Sequence, residues 1–138
     1  MNHAPPTTAN AHVRFARPTA QLAKLVDFYT AALGFKVLGE FRDHAGFDGV
    51  MLGHANSGYH LEFTTEKGQP APSWQPTTEH LMVFYFPDQD EWQAIVGHLD
   101  ALGIQPVPSH NPYWDQNGST FEDPDGYRFV IQHQAWPT

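Results

Sequence analysis

The chain contains no cysteine. That single absence removes disulfides, thiolate nucleophiles and thiolate-held metal or iron–sulfur groups. Any metal would have to be held by His, Asp, Glu or water. Basic residues are also scarce, with seven Lys+Arg against fifteen Asp+Glu and a formal charge of -8. No basic stripe offsets repulsion from phosphates, so no nucleic-acid partner is expected, and the acidic balance favours a cationic ligand. Long apolar runs are missing too. The longest, Leu81 to Phe86, is too short for a membrane-spanning helix, and no membrane partner is expected. Residues 1–11 lack the basic start and apolar centre of a secretory signal and read as a flexible tail. A cytoplasmic location is the default expectation.

What the sequence does contain, it contains nearly twice. Ala32-Leu33-Gly34-Phe35 returns as Ala101-Leu102-Gly103-Ile104, an offset of 103 − 34 = 69 residues. His12 and His80 are 80 − 12 = 68 apart, and so are Glu62 and Val130, with 130 − 62 = 68. The offsets predict two tandem βαβββ units, unit one at 12–64 and unit two at 80–134. A Pro-, Gly- and Ser-containing linker at 65–79 joins them, with Gly68, Pro70, Pro72, Ser73 and Pro76. At 138 residues neither unit is large enough to fold alone, so 12–134 reads as a single domain with a shared core. The expected class is α+β, a curved eight-stranded mixed sheet around a central cavity.

Leu22, Leu25, Val26, Tyr29, Ala32 and Leu33 recur at helical spacing between Pro18 and Gly34. Trp92, Ile95, Val96, Leu99 and Leu102 repeat the pattern, with Asp90 as a start cap and Gly103 as a left-handed stop. Alternating segments at Tyr59 to Thr64 and Tyr127 to Gln132 read as strands with one face covered. Asp123-Pro124-Asp125-Gly126 is a hairpin turn, and Asp43 to Gly49 a glycine-bearing strand connection.

This order of elements resembles the vicinal oxygen chelate superfamily, which includes glyoxalase I, extradiol dioxygenases, fosfomycin-resistance enzymes and bleomycin-binding proteins. The resemblance rests on Phe28-Tyr29, Leu33-Gly34-Phe35 and Phe121-Glu122-Asp123-Pro124-Asp125-Gly126-Tyr127, and spans residues 12–132. Within that group the chain looks closest to the YycE-like proteins, through Ala16-Arg17-Pro18-Thr19, Tyr59-His60-Leu61-Glu62-Phe63 and Asn111-Pro112-Tyr113-Trp114. Metal-dependent members take one ligand from the first and one from the last strand of each unit. By resemblance, His80 and Glu62 match two of these positions. Val130 stands where the family has a Glu and cannot coordinate anything. The remaining position is Arg14, which repels a cation, or His12. The implied metal set is therefore His80, Glu62 and His12, incomplete for a zinc, nickel, manganese or iron ion.

Two functions remain open at this point. One is a small-molecule-binding protein with a degenerate metal site, similar to the bleomycin-resistance type. The other is a divalent-metal-dependent lyase or isomerase similar to glyoxalase I, with Glu62 as the proton-transferring group. An alternative role for Glu62 is an ion pair with Arg14 or Arg128. Met82, Phe84 and Phe86 are expected to continue the cavity face from His80, alongside Val130 and Gln132. Arg14, His60, Phe84, Arg128 and the aromatic pair Tyr113 and Trp114 are the candidate contacts to a small organic ligand. The resemblance also implies a homodimer, paired edge to edge or by exchanging units.

Overall fold

The computed structural model describes residues 4–71, 73 and 76–137. The expectations for residues 1–3 of the tail and for Pro72, 74 and 75 of the linker lie outside the described residues. Unit one runs β1 (Val13–Pro18), α1 (Leu22–Leu33), β2 (Lys36–His44), β3 (Phe47–Gly53) and β4 (Tyr59–Glu66). Unit two runs β5 (Leu81–Tyr85), α2 (Gln89–Ala101), α3 (Tyr113–Gln116), β6 (Gly118–Glu122) and β7 (Arg128–Gln132). The strands form a four-stranded sheet, β1-β4-β3-β2, and a three-stranded sheet, β5-β7-β6. In both, the first strand of the unit runs parallel to the last.

The α+β class and the duplicated unit are as the sequence indicates, with one strand of the second unit lost. Where unit one has the nine-residue β2, unit two has only an isolated bridge between Val107 and Thr120. Pro106 and Pro108 flank Val107, and proline has no N–H to continue a ladder. The observed sheets therefore hold four and three strands.

Helix α1 ends at Gly34, whose φ of 68° is the left-handed conformation that closes a helix without a Cβ penalty. The cap of α2 is Asp88, which accepts from the Glu91 N–H at 2.9 Å, in place of the expected Asp90. Asp88 is two residues nearer the strand, where the backbone is still extended. Two buried clusters form the core. One gathers Leu25, Tyr29, Phe35, Leu52, Leu61 and Phe63 of unit one, the other Leu99, Phe121, Phe129 and Ile131 with Ala32 of α1. Phe28, Leu33, Met82 and Phe84 pack against both, so the helix-side faces of the two sheets share one apolar interior.

A buried ion pair locks the units together. Asp123, at the β6–β7 turn, lies 3.5 Å from the Arg17 guanidinium of β1 and accepts a 2.6 Å hydrogen bond from the Tyr29 hydroxyl of α1. Its second oxygen accepts the N–H groups of Asp125 and Tyr127. Arg17 stacks on the Tyr127 ring at 4.1 Å and stands 5.5 Å from that of Phe63. Burial pushes the Asp123 carboxyl up against the pull of these donors, and burial followed by the Asp123 charge holds the Tyr29 phenol far above its usual range. Removing Asp123 leaves the mostly buried Arg17 side chain without its carboxylate. Asp123→Ala is expected to destabilise the fold by about 3–5 kcal/mol in urea denaturation, because it leaves a buried guanidinium unpaired. Tyr29→Phe, which deletes one hydrogen bond to the carboxylate, should cost about 1.5–3 kcal/mol.

Candidate functional site

Side chains alternate across a strand, so Leu61 and Phe63 enter the core while His60 and Glu62 occupy the opposite face of β4. Parallel pairing sets Arg14 of β1 beside His60 and Ala16 beside Glu62. Arg14 bridges the two polar side chains, donating from Nε to His60 Nε2 at 2.9 Å and from Nη1 to Glu62 Oε2 at 3.2 Å. His12 stacks on His60 with ring centroids 4.8 Å apart and Nε2 2.6 Å from His60 Nδ1. Arginine can only donate, so His60 Nε2 must be unprotonated. In the neutral ring the proton then sits on Nδ1 and is donated to His12 Nε2, which places the His12 proton on its own Nδ1. Burial, then the Arg14 charge, lowers the His60 pKa from 6.5, in keeping with that neutral state.

Arg14 also reaches a second feature. Between β1 and β5 lies a groove of about 630 Å³, walled by residues 14–17 on one side and 79–82 on the other, with Tyr127 and Arg128. Three of the chain's seven basic residues, Arg14, Arg17 and Arg128, line it together with His80, against the single carboxylate Glu79. The net charge of the chain is acidic, but the groove surface is basic. Each arginine is oriented by a carboxylate that is not part of the groove wall, Glu62, Asp123 and Glu122 respectively. Those partners weaken the long-range field, so attraction in the groove is short-ranged and depends on the remaining guanidinium donors. Phe15, Leu81 and Met82 supply the apolar part of the lining.

The structure divides the other expected site residues. Phe84 lies in the core, with its ring 6.5 Å from Phe35 and 6.4 Å from Phe129. Met82 and Phe84 pair with Phe129 and Ile131, while Val130 pairs with Val83, so the expected common face for Phe84, Val130 and Gln132 does not exist. The reason is a one-residue difference in register. Arg14 lies opposite His60 and Leu81 opposite Arg128, so the last strands are offset by 128 − 60 = 68 residues but the first strands by 81 − 14 = 67. The match of His12 to His80 is out by one, and one residue turns a side chain to the other face of a strand. Leu81, not His80, is the counterpart of Arg14.

Tyr113 and Trp114 form the single-turn α3, with Asn111 Oδ1 accepting from the Tyr113 N–H and the two rings packed edge to face at 5.0 Å. They do not line the groove. Arg17, Phe15 and Leu81 are groove residues that the sequence pattern did not single out. The alternation of β1 was the available signal for Phe15 and Arg17, but nothing in the sequence reveals that both faces of this strand reach one groove.

The arrangement does not suit a divalent metal ion. Among the described residues no three His, Cys, Asp or Glu side chains gather around a common point. Arg14 places its positive charge between His60 and Glu62, where it repels a cation.

Comparison with known proteins accounts for this frame. The YycE-like N-terminal domain matches residues 13–64 and the YycE-like C-terminal domain residues 79–133. The protein YycE of Bacillus subtilis strain 168 is 48% identical over 124 residues, covering 89% of this chain and 88% of that protein. The chain belongs to the YycE-like family. The crystal structure of the B. subtilis YycE protein superposes with a TM-score of 0.81 at 46% identity, covering 91% of this chain and 90% of that one. Glyoxalase I of Leishmania major follows at a TM-score of 0.66 and 20% identity, covering 88% and 85% of the two chains. The fosfomycin resistance protein FosX of Listeria monocytogenes gives 0.67 and 15%, covering 89% and 91%. The chain thus shares its fold with glyoxalase I and FosX.

The hydrogen-bond polarity of the His12–His60–Arg14–Glu62 chain has a pH consequence. The folded protein disfavours protonated His60, so the unfolded chain takes up the proton first. The contribution of this chain to stability is fully present above pH 6.5 and declines as the pH falls below it. Two-dimensional NMR titration of the imidazoles should give a His60 midpoint below 6.5, and Arg14→Met should raise it. A midpoint at or above 6.5 in the unmodified protein would contradict the assigned tautomers.

Proposed function

We propose that this YycE-like protein binds a small organic molecule carrying a negative charge in the groove between β1 and β5, without a metal ion. The observation that carries the reading is the groove itself. It brings Arg14, Arg17, Arg128 and His80 from both units together with Phe15, Leu81 and Met82, the mix of an apolar lining with a few placed polar groups that small-molecule sites use. Arg14 and Arg128 bind the anionic group, Phe15 and Met82 the apolar body, and Glu62 and His60 hold Arg14 in place. Glu62 accordingly acts as an orienting carboxylate and not as the base of a metal-dependent lyase. In this reading His12 supports His60, and His80 sits at the groove rim. The chain pairs as a homodimer along β2, an edge strand of its sheet, where Val37 and Leu38 are exposed.

A thermal-shift and calorimetric screen of small carboxylates and phosphonates with apolar bodies tests the groove. At least one should stabilise the protein, and Arg14→Met or Arg128→Met should weaken its binding by about tenfold or more while circular dichroism stays unchanged. Stabilisation by none of them removes the reading. Elemental analysis of protein purified without chelator is expected to give substoichiometric manganese, nickel, zinc and iron, with no increase after addition of each ion. A stoichiometric metal would restore the lyase alternative.

A further inference from the structure

The groove lies along two strand edges. β1 is the outer strand of one sheet and β5 of the other, and neither pairs with another strand on its groove side among the described residues. Residues 14–17 of β1 line one side, and Leu81 and Met82 at the start of β5, preceded by Glu79 and His80, line the other, with side chains of both strand faces represented, so the groove follows the backbone edges and not one face of a sheet. Which backbone groups point into it follows from the ladder. Val13 N–H bonds Gly58 O at 3.0 Å and Thr19 N–H bonds Thr64 O at 2.8 Å, so the odd-numbered residues of β1 face β4. Arg14 and Ala16 therefore direct their N–H and C=O groups outward. On the other side, Phe86 N–H bonds Gln132 O at 2.8 Å, so Met82 and Phe84 face β7, and Leu81 and Val83 face outward. Two short unpaired edges thus confront each other across one groove, a template for strand addition.

The side chains set the chemistry of what could be added. Phe15, Arg17 and Met82 lie on the helix side of the groove, and Phe15 is 53% exposed despite its size. Arg14 and Arg128 lie on the opposite side. An extended chain between the edges alternates its side chains in the same way. We infer that the groove receives an extended acidic segment of another polypeptide by strand addition, its carboxylates directed to Arg14 and Arg128 and its alternate apolar side chains to Phe15 and Met82. The four lining residues of β1 match a segment of about four to five residues, at roughly 3.3 Å per residue. The inference rests on the groove being the ligand site and names the class of ligand, an amide-bearing anion that uses its backbone as well as its charge.

The test compares acetyl-Val-Glu-Val-Glu-Val-amide, the same peptide N-methylated at alternate amides, its Lys-for-Glu counterpart, and glutarate, each titrated calorimetrically into the full chain. The acidic peptide is expected to bind, with N-methylation in the pairing register, Lys replacement and Arg14→Met each weakening it by about tenfold or more. Equal binding of the N-methylated and parent peptides, or of glutarate and the parent, would overturn strand addition and leave the small-anion reading in place. If glutarate and the small-molecule screen bind but the peptide does not, the inference alone fails. If nothing binds, both fail. Light scattering of the free protein supplies the remaining outcome, because a self-associated state through β1 that the peptide does not displace would assign the edges to a second copy and overturn the proposal.

Discussion

The position of Asp123 depends on groups from three directions, and the relation between the two units depends on Asp123. A carboxylate with no exposed side-chain surface is costly to bury, and it is tolerated because Arg17, Tyr29 and two backbone N–H groups converge on it. Those groups come from β1, α1 and the β6–β7 turn, so satisfying one charge fixes the first unit against the end of the second. The apolar interior shared by Phe28, Leu33, Met82 and Phe84 then fills the space that this arrangement defines. Hydrophobic burial supplies the larger energy, but it is non-directional and leaves many relative placements open. The ion pair is directional, and it selects one.

That placement sets β1 and β5 as neighbours that do not pair. Among the described residues no further strand pairs with either edge, and Arg17 serves the junction on one side while lining the groove on the other. Arg14 has a comparable double position, bonded to His60 and Glu62 on the sheet face and present in the groove wall. A guanidinium held by two side-chain acceptors loses little freedom on binding a ligand, and its orientation depends on His60 remaining neutral. Groove chemistry and the protonation of the histidine pair are therefore linked through a single side chain.

The helices, the β6–β7 turn and the family were legible in the sequence because each rests on local patterning. Leu25, Tyr29 and Ala32 at helical spacing, Gly34 at a helix stop, and Asp-Pro-Asp-Gly at a turn act through their immediate neighbours. The ion pair of Glu62 with Arg14 was among the alternatives that alternation and charge allowed. The cavity face of unit two was misread. Val130 and Gln132 were expected on the face of Met82 and Phe84, whereas the strand pairing shifts by one residue between units and sets them on the opposite face of their sheet.

What the sequence determined by itself was therefore the duplicated α+β frame and the class of residue available to a site. Local propensities and periodicities act within a few residues, and the chain carries them wherever it folds. The tertiary structure alone decided which side of each sheet is buried, where the basic groove lies on an acidic protein, and that Arg14 fills the space between His60 and Glu62. Register between distant strands is set by long-range pairing and by packing around Asp123. A one-residue change in that register reverses every side chain on a strand, and no local signal records it.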